Sequence, residues 1–342
     1  PTTAIGSQFR WTEGGEEKVV IFAGAPINVP VSALGTLEFR AVDNFSGQFR
    51  IGVQAHTVDT DDDGGTSMTA TSGQAYLENI LITPSADDVT LSLAARAQGL
   101  EDTPIPLSIR PTSSDPSEEF EVTISDIPSN ATLTYGGAPL VIVGGSVTIP
   151  NFDPSTPLIL LPPENSNENI RLTVSAVSVD DLTIGGTTYT DRSDATTLTM
   201  DIELRGVADL ATVTATPQSY VEGDLDAQVD AVLLGDLFTV ALTDTDGSET
   251  PTMQVSGLPD GFSLTQGTLL TGPAVTGTDR IWVLQAGQLA TTEVKVPANH
   301  SGAVGFTVTP VTTENDGASL TGTPQAVGFT VTPTPEATVT TS

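Results

Sequence analysis

The apolar positions of this chain recur in short runs that alternate with polar positions, as they do in half-buried β-strands. Clear examples are Phe120–Ser125, Thr197–Leu204 and Thr292–Pro297. Alternation over roughly four to eight residues directs one face of a strand to a core and the other to solvent. No stretch shows the period of about 3.6 residues that marks an amphipathic helix. The pattern therefore predicts an all-β chain of short antiparallel strands.

The arrangement of strands and turns recurs almost three times along the chain. Asp209 follows Asp88 by 121 residues, and Glu222 follows Glu101 by the same interval. Two further markers recur in a fixed order: a turn that contains Ile-Pro or Leu-Pro, matched more loosely by Ile5-Gly6 in the first copy, and an apolar strand after a polar turn. Their copies lie at 5–9, 127–133 and 258–264, and at 49–53, 170–174 and 305–309. Repetition at one interval indicates a tandem array.

The intervals and the frequent Gly-rich turns predict β-sandwich modules. We expect modules at 1–96, 97–216 and 217–342, the last including the start of a next linker that begins near Pro335. The first module lacks its opening strand or strands, because almost nothing precedes its first marker. One explanation is a fragment of a longer array. The other is that the missing strands come from elsewhere, either an earlier segment or the tail of a neighbouring chain by strand addition.

The net charge of the chain restricts its possible partners more than any other compositional feature does. The chain carries 11 basic and 43 acidic residues, a net charge of −32. Such a field repels nucleic acid and anionic membrane surfaces, so we expect neither partner, and no apolar segment is long enough to be inserted in a membrane. The basic residues are too few to neutralise clustered carboxylates, and this favours the binding of metal cations as counter-charges. There is no cysteine, which excludes disulfides and thiol chemistry.

Two segments resemble the extender region of giant bacterial surface adhesins of the repeats-in-toxin type. Leu100-Glu101-Asp102-Thr103-Pro104-Ile105 resembles the opening of an extender module, and Asp244-Thr245-Asp246-Gly247-Ser248-Glu249 resembles its next acidic loop. The resemblance implies a tandem array of immunoglobulin-like or cadherin-like β-sandwich modules, joined by linkers that calcium makes rigid. It also implies an extracellular, cell-surface location and a role in cell adhesion or biofilm formation.

Calcium takes about six to eight oxygen ligands in flexible geometry, and the acidic residues gather near the expected module junctions. The alternative is that these acidic loops are solvated turns, since Asp and Gly are ordinary turn residues. A further acidic run, Asp59–Asp63, lies at a predicted loop end. For the first junction the candidate ligands are Asp87, Asp88, Glu101 and Asp102, with Asp115 and Glu118 from the following module; for the second they are Asp209, Glu222 and Asp224, with Asp244, Asp246 and Glu249.

Catalytic chemistry has little support in this sequence. The two histidines, His56 and His300, lie at non-equivalent positions of the repeat, and no nucleophile elbow, phosphate-binding loop or His-Glu-x-x-His motif is present. We therefore expect a non-enzymatic extender whose partners are neighbouring modules of the same chain, with other copies bound end to end as an alternative. The open alternatives are a subunit or segment of an extracellular filament or sheath assembled by strand exchange, and a region that binds a glycan or peptide. The surface or host ligand is not identified by these features.

Overall fold

The structure is a computed structural model that describes residues 5–61, 65–94, 97–222, 230–270 and 276–335. Within these ranges the chain is all-β, as the alternation predicts. The short helical segments are one α-helix of four residues, α1 (Leu234–Leu237), and 3-10 turns at Val31–Thr36, Gly277–Asp279 and Ala286–Gln288. The strands fall into three groups, which we call the N-terminal unit (residues 5–82), the middle unit (89–205) and the C-terminal unit (211–335).

The middle unit is a two-sheet sandwich. One sheet has the order β15-β12-β17-β19-β9, with β18 paired to β17, and the other has the order β10-β16-β13-β14. A short pair, β8 with β11, completes it. Its strands are β8 (Thr90–Leu93), β9 (Ala97–Leu100), β10 (Ile105–Leu107), β11 (Ile109–Thr112), β12 (Glu119–Ser125), β13 (Thr132–Tyr135), β14 (Ala138–Pro139), β15 (Val147–Ile149), β16 (Leu158–Leu161), β17 (Ile170–Ile184), β18 (Thr187–Arg192) and β19 (Thr196–Arg205).

The core of the middle unit lies between these sheets. It is made of the inward-facing residues of each strand, such as Val122 and Ile124 on β12 and Leu172 and Val174 on β17, all fully buried. On β17 the alternation of buried and less buried positions runs from Ile170 to Asp181 without a break, as expected for a strand with one face on a core. Apolar burial of this kind is the main favourable term in the folding of each unit.

The C-terminal unit repeats the same topology. The order β27-β24-β29-β31-β21 matches β15-β12-β17-β19-β9, and β22-β28-β25 matches β10-β16-β13. It has a separate core around Phe238, Met253, Val255, Phe262 and Leu284. Its strands are β20 (Thr212–Ala215), β21 (Gln218–Val221), β22 (Asp230–Leu233), β23 (Phe238–Ala241), β24 (Glu249–Ser256), β25 (Ser263–Leu264), β26 (Thr268–Leu269), β27 (Ile281–Gln285), β28 (Glu293–Val296), β29 (Gly302–Glu314), β30 (Ser319–Thr321) and β31 (Gln325–Thr332).

The N-terminal unit reproduces part of this topology. Its three-stranded sheet β2-β1-β3 matches β14-β13-β16, and its pair β4-β7 matches β17-β19. The hairpin β5-β6 extends β4 and β7, much as β18 pairs with the end of β17. Its strands are β1 (Gln8–Glu13), β2 (Glu16–Ile21), β3 (Glu38–Arg40), β4 (Gly47–Val53), β5 (His56–Thr60), β6 (Ser67–Thr71) and β7 (Ala75–Ile82).

The N-terminal and middle units share a hairpin with the same two-residue turn. Gly14 and Gly15 connect β1 to β2, and Gly136 and Gly137 connect β13 to β14. All four glycines have positive φ, between 58° and 89°. This is the conformation that a two-residue type I′ hairpin turn requires at both central positions, and glycine adopts it without steric cost.

The structural units begin a few residues before the predicted module boundaries. Strand β8 lies before the expected boundary at 96/97, yet it pairs with β11, and Val89 and Leu91 belong to the core of the middle unit. Likewise β20 precedes the boundary at 216/217, yet it pairs with β23 of the C-terminal unit. Each of these strands therefore packs with the unit that follows it, whereas the expected boundaries, which were counted from the acidic pair, place it in the module before. The predicted next linker, 336–342, lies outside the described residues.

The separate cores predict separate stabilities. Leu160 is fully buried in the middle core, whereas its neighbour Leu161 is 38% exposed. Replacing Leu160 by Ala should destabilise the middle unit by about 2–5 kcal/mol, because a buried cavity is left behind, and Leu161→Ala should have a small effect. Hydrogen exchange of the intact chain measures this: amides of β12, β17 and β19 should exchange faster in Leu160→Ala. Equal acceleration in β24, β29 and β31 would contradict independent cores.

Candidate cation site at the junction of two units

Glu101 is the contribution of the middle unit to this site. It follows β9, which runs parallel to β19, and its N–H donates to the carbonyl of Arg205 at 3.0 Å. Its Oε1 accepts a hydrogen bond from the N–H of Val207 in the linker. The side chain is 1% exposed. Glu101 is thereby fixed at the end of the middle unit, against the linker that leads into the C-terminal unit.

The loop between β23 and β24 supplies the facing carboxylates. Asp244 is buried; its Oδ1 accepts from the N–H of Asp246 at 2.8 Å, and its Oδ2 accepts from the Ser248 hydroxyl at 3.0 Å. Oδ1 of Asp246 in turn accepts from the N–H of Ser248 at 2.6 Å. The Asp-x-Asp-x-Ser pattern thus builds a turn from side-chain to backbone bonds. Glu249 accepts from the N–H of Asp209 in the linker at 2.5 Å.

Glu314, at the end of β29, completes the cluster. Its Oε1 accepts from the Ser248 hydroxyl at 3.4 Å, and its Oε2 accepts from the side-chain amide of Asn167 in the middle unit at 3.2 Å. Gly206 leaves room for it: a Cβ at that position would lie 2.5 Å from Oε2 of Glu314. A side chain at 206 would therefore displace a carboxylate of the cluster.

Three of these carboxylates converge across the junction. Glu101, Asp244 and Glu314 are all buried, and each offers an oxygen that lies within 4.8 Å of those of the other two. Oε2 of Glu101 and Oε2 of Glu249 are buried and have no hydrogen-bond partner among the residues that the structure describes. The ion pairs seen among the described residues use other acids and lie elsewhere on the surface. Buried carboxylates with free oxygens and no basic partner are the donor set that a hard cation such as calcium takes.

The burial of these neighbouring carboxylates raises their pKa values. Burial raises the pKa of Glu101 from 4.5 to about 7, with further contributions from Glu314, Asp102 and Asp244, opposed by the N–H of Val207. Burial also raises the pKa of Glu249, with Glu314, Asp209 and Asp244 adding to the effect. The pKa values of Glu314 and Asp209 are raised mainly by burial as well. Protons and cations therefore compete for the same oxygens.

The structure regroups the predicted ligands. The sequence assigned Glu101 and Asp102 to the junction with Asp87 and Asp88, but Glu101 lies at the opposite end of the middle unit, beside Val207. Asp102 is exposed in the same region, where its charge raises the pKa of Asp209. Four acids that the sequence grouped at the second junction are connected in the structure by hydrogen bonds and charges: Asp209, Asp244, Asp246 and Glu249. Asp224 lies outside the described residues, as do Asp62 and Asp63 of the acidic run.

The junction between the N-terminal and middle units has a related arrangement. Asp87 donates its N–H to Oε1 of Glu118 at 2.5 Å, as Asp209 does to Glu249. Asp115 accepts from the N–H of Ser117 at 2.8 Å and is buried. Oε2 of Glu118 is buried without a partner. Asp88, also a predicted ligand, is exposed.

Two buried acids at equivalent positions were not predicted. The register that pairs Glu249 with Glu314 across β24 and β29 brings Asp180 on β17 opposite Glu118, just before β12. Oδ2 of Asp180 accepts from the N–H of Ser85 at 3.2 Å, and Asp191 accepts from the N–H of Ala86 at 2.9 Å. Both long strands therefore carry an acid about ten residues after their apolar start. This was the signal in the sequence that could have identified Asp180 and Glu314.

Glu222 occupies the position of Glu101 at the far end of the C-terminal unit. Its N–H donates to the carbonyl of Thr332 at 2.9 Å, and its Oε2 accepts from the N–H of Thr334 at 3.1 Å. These bonds match those of Glu101 with Arg205 and Val207. Glu222 was predicted to join Asp209 and Asp224 at the second junction, but it lies instead at the opposite end of its own unit. The interval of 121 residues therefore preserves the geometry around this glutamate.

Comparison of the sequence with models of known protein families and with curated proteins gives no match in either case. Among the described residues, no helix has the length and apolar character that crossing a bilayer requires. The fold defines a class, an all-β chain of repeated sandwiches, and the junction clusters are the chemical feature that distinguishes it.

The raised pKa values of these carboxyl groups predict an unusual pH dependence in calcium-free solution. A carboxyl whose pKa is raised on folding binds more protons in the folded state, so stability is greatest at low pH and is lost as pH rises from 4.5 to about 7. For Glu101 alone, the loss in the free energy of unfolding is about 3 kcal/mol. Urea unfolding without divalent cations should show the two units that meet at this junction less stable at pH 8 than at pH 5.

The matched variant is Glu101→Gln, which keeps the shape of the side chain and removes its titratable carboxyl group. The stability difference between pH 5 and pH 8 should shrink in this variant relative to the wild type. An identical pH dependence in the two proteins would show that Glu101 does not carry this effect.

Proposed function

We propose that this chain is a non-catalytic extender segment of an extracellular bacterial surface adhesin, in which calcium binds at the unit junctions and makes them rigid. The observation that carries the proposal is the convergence of Glu101 from one unit with Asp244 and Glu314 from the next, in a buried site with free oxygens. An ion held by ligands from two units joins them directly. Cell adhesion or biofilm formation is the role that such a spacer would serve.

Calcium fits this donor set better than the transition metals do. The cluster consists of carboxylate oxygens, with the hydroxyl oxygen of Ser248 close by. Calcium accepts many oxygen ligands in irregular geometry, whereas zinc prefers nitrogen and sulfur donors in a tetrahedral arrangement. Residues that would hold the ion are Glu101, Asp244, Glu249 and Glu314, with Asp209 and Asp246 at the periphery.

The stiffening follows from the charges. Without a cation, Glu101 repels Asp244 and Glu314 across the junction, and the two units tend to separate. A bound divalent cation replaces this repulsion by attraction to both sides. For a site with Kd of about 10⁻⁴ M in about 10⁻² M calcium, occupancy stabilises the joined arrangement by about 2.7 kcal/mol. That shifts a two-state equilibrium between hinged and joined junctions by about a hundredfold.

Other features of the chain support an extracellular, structural role. A net charge of −32 and the absence of cysteine suit an environment rich in divalent cations, where rigidity comes from metal ions rather than disulfides. The repetition of one sandwich with acids at its ends suits a spacer, because length grows by adding units. His56 is exposed and bonds only with the hydroxyl of Thr71, which gives it no partner for catalysis among the described residues.

Calcium titration by isothermal calorimetry tests the site. Glu101→Gln and Glu314→Gln should each weaken calcium binding at this junction by at least about tenfold, because each removes a charged ligand from a buried ion. Glu293→Gln, an exposed glutamate on β28 of the same unit, is the matched control and should bind calcium as the wild type does. Equal affinity in all four proteins, or no heat of binding in any, would reject the proposal.

A further inference from the structure

The C-terminal unit has a cleft at the end of its sandwich that lies away from the junction. Strand β24 begins at Glu249, which belongs to the junction cluster, and the cleft lies beyond the other end of this strand. Its volume is about 430 Å³, within the range of roughly 300–1,000 Å³ that is usual for small-molecule sites. The residues that line it include Asp260, Ser263, Leu269, Thr276, Arg280 and Trp282.

The middle unit has different side chains at the same place in its fold. The proline turn after β12 or β24 and the registers of β15 and β27 equate three lining positions of the cleft with small or apolar residues: Asp260 with Ser129, Arg280 with Gly145 and Trp282 with Val147. Val147 is 8% exposed and belongs to the middle core. Two copies of one scaffold therefore differ here in chemistry, as they do when a binding site is built on one of them.

Asp260 and Arg280 supply a charged acceptor and a charged donor. Nε of Arg280 donates to the carbonyl of Gly277 at 3.1 Å, and its Nη2 donates to the carbonyl of Pro259 at 3.1 Å, so the guanidinium is fixed in place. The Asp260 carboxylate lies against the same turn, because a Cβ at Gly277 would be 3.1 Å from its Oδ1. Neither side chain forms an ion pair in the part of the chain that the structure describes. Both charges are therefore available to a ligand, and together they sum to zero.

Trp282 supplies a flat apolar wall to the same cleft. It is half-buried on β27, where it pairs with Leu269 of β26, and both side chains line the cleft. An indole ring offers a large, rigid apolar face. The C–H face of a pyranose ring is apolar and of similar size, whereas the hydroxyls around the ring both donate and accept hydrogen bonds. A sugar ring therefore matches the wall and the two charged groups at once.

We infer that this cleft binds a neutral saccharide, with one pyranose ring packed on Trp282 and its hydroxyls bonded to Asp260 and Arg280. Asp260 accepts from the hydroxyls, and the remaining guanidinium N–H groups donate to them. A neutral ligand fits because the lining charges cancel and because a net charge of −32 repels anions. The site goes beyond the proposed spacer role, since a spacer that carries it would also hold a glycan at its side.

Saturation-transfer difference NMR on the full-length chain tests this site. The probes are the methyl glycosides of glucose, mannose, galactose and N-acetylglucosamine. At least one should bind saturably with a Kd of about 1 mM, the affinity expected of a ligand of this size. Saturation should be strongest at the C–H protons of one ring face, because that face packs on Trp282.

Hydrogen exchange with the bound glycoside locates the site within the repeat. At a concentration of about ten times Kd, exchange should slow by up to about tenfold at amides within 259–264 and 280–283. The equivalent amides of the middle unit, within 128–133 and 145–149, are an internal control and should not change. Protection of the middle unit instead would contradict the assignment.

Three variants test the contacts. Asp260→Asn keeps the shape of an exposed side chain and removes its charge, so it should weaken binding at least about fivefold. Trp282→Leu removes the flat ring and should weaken binding at least about tenfold. Unchanged exchange in β29 and β31 checks that this variant folds; if it does not fold, Asp260→Asn decides. The matched control is Asp279→Asn, an exposed acid outside the cleft lining, which should bind within about twofold of the wild type.

Several results would overturn the inference. They are no saturable binding of any of the four glycosides, wild-type affinity in Asp260→Asn, or equal weakening by Asp279→Asn and Asp260→Asn. Binding of the methyl glycoside of N-acetylneuraminic acid alone would assign the cleft to an anion and reject a neutral saccharide. Glu101→Gln should bind the glycoside as the wild type does, because the junction lies at the other end of β24. The result is therefore independent of the proposed calcium site.

Discussion

The burial of several like charges at the contact between two apolar cores is the constraint on which this architecture depends. Apolar burial stabilises each sandwich separately, but it gives no reason for carboxylates to converge where the units meet. Glu101, Asp244 and Glu314 converge there, and the described ion pairs engage other acids. Such a cluster is unfavourable unless protons or cations neutralise it. The relative arrangement of the units is consequently linked to the ionic conditions around them.

Much of the fold follows from the sequence because it depends on local patterns that repeat. Alternation along segments such as Thr197–Leu204 gives strands directly, and paired glycines such as Gly136-Gly137 give the hairpins. The interval of 121 residues correctly equates Glu101 with Glu222, since both make the same backbone bonds at the ends of their units. The boundaries between units were harder to predict from the sequence, because an apolar strand such as β8 can pack on the core of the unit before it or of the unit after it.

The composition of the junction sites was harder to predict, because it depends on which end of a sandwich each acid reaches. Only twelve residues separate Glu101 from Asp88 in sequence, but the chain between them runs along the unit, and an extended run of that length can span about 40 Å. Glu314 is far from Asp209 in sequence, and the long strand β29 returns it to the same end. Only the strand directions settle such pairings.

The central claim is that a cation at the buried carboxylates fixes the angle between the middle and C-terminal units. Because the chain has no cysteine, Thr199→Cys on β19 and Thr330→Cys on β31 would carry two specific nitroxide labels, one on each unit. Pulsed electron paramagnetic resonance then gives the distribution of distances between them. The account predicts a narrow distribution in calcium that broadens when calcium is chelated. Distributions of equal width under both conditions would contradict it.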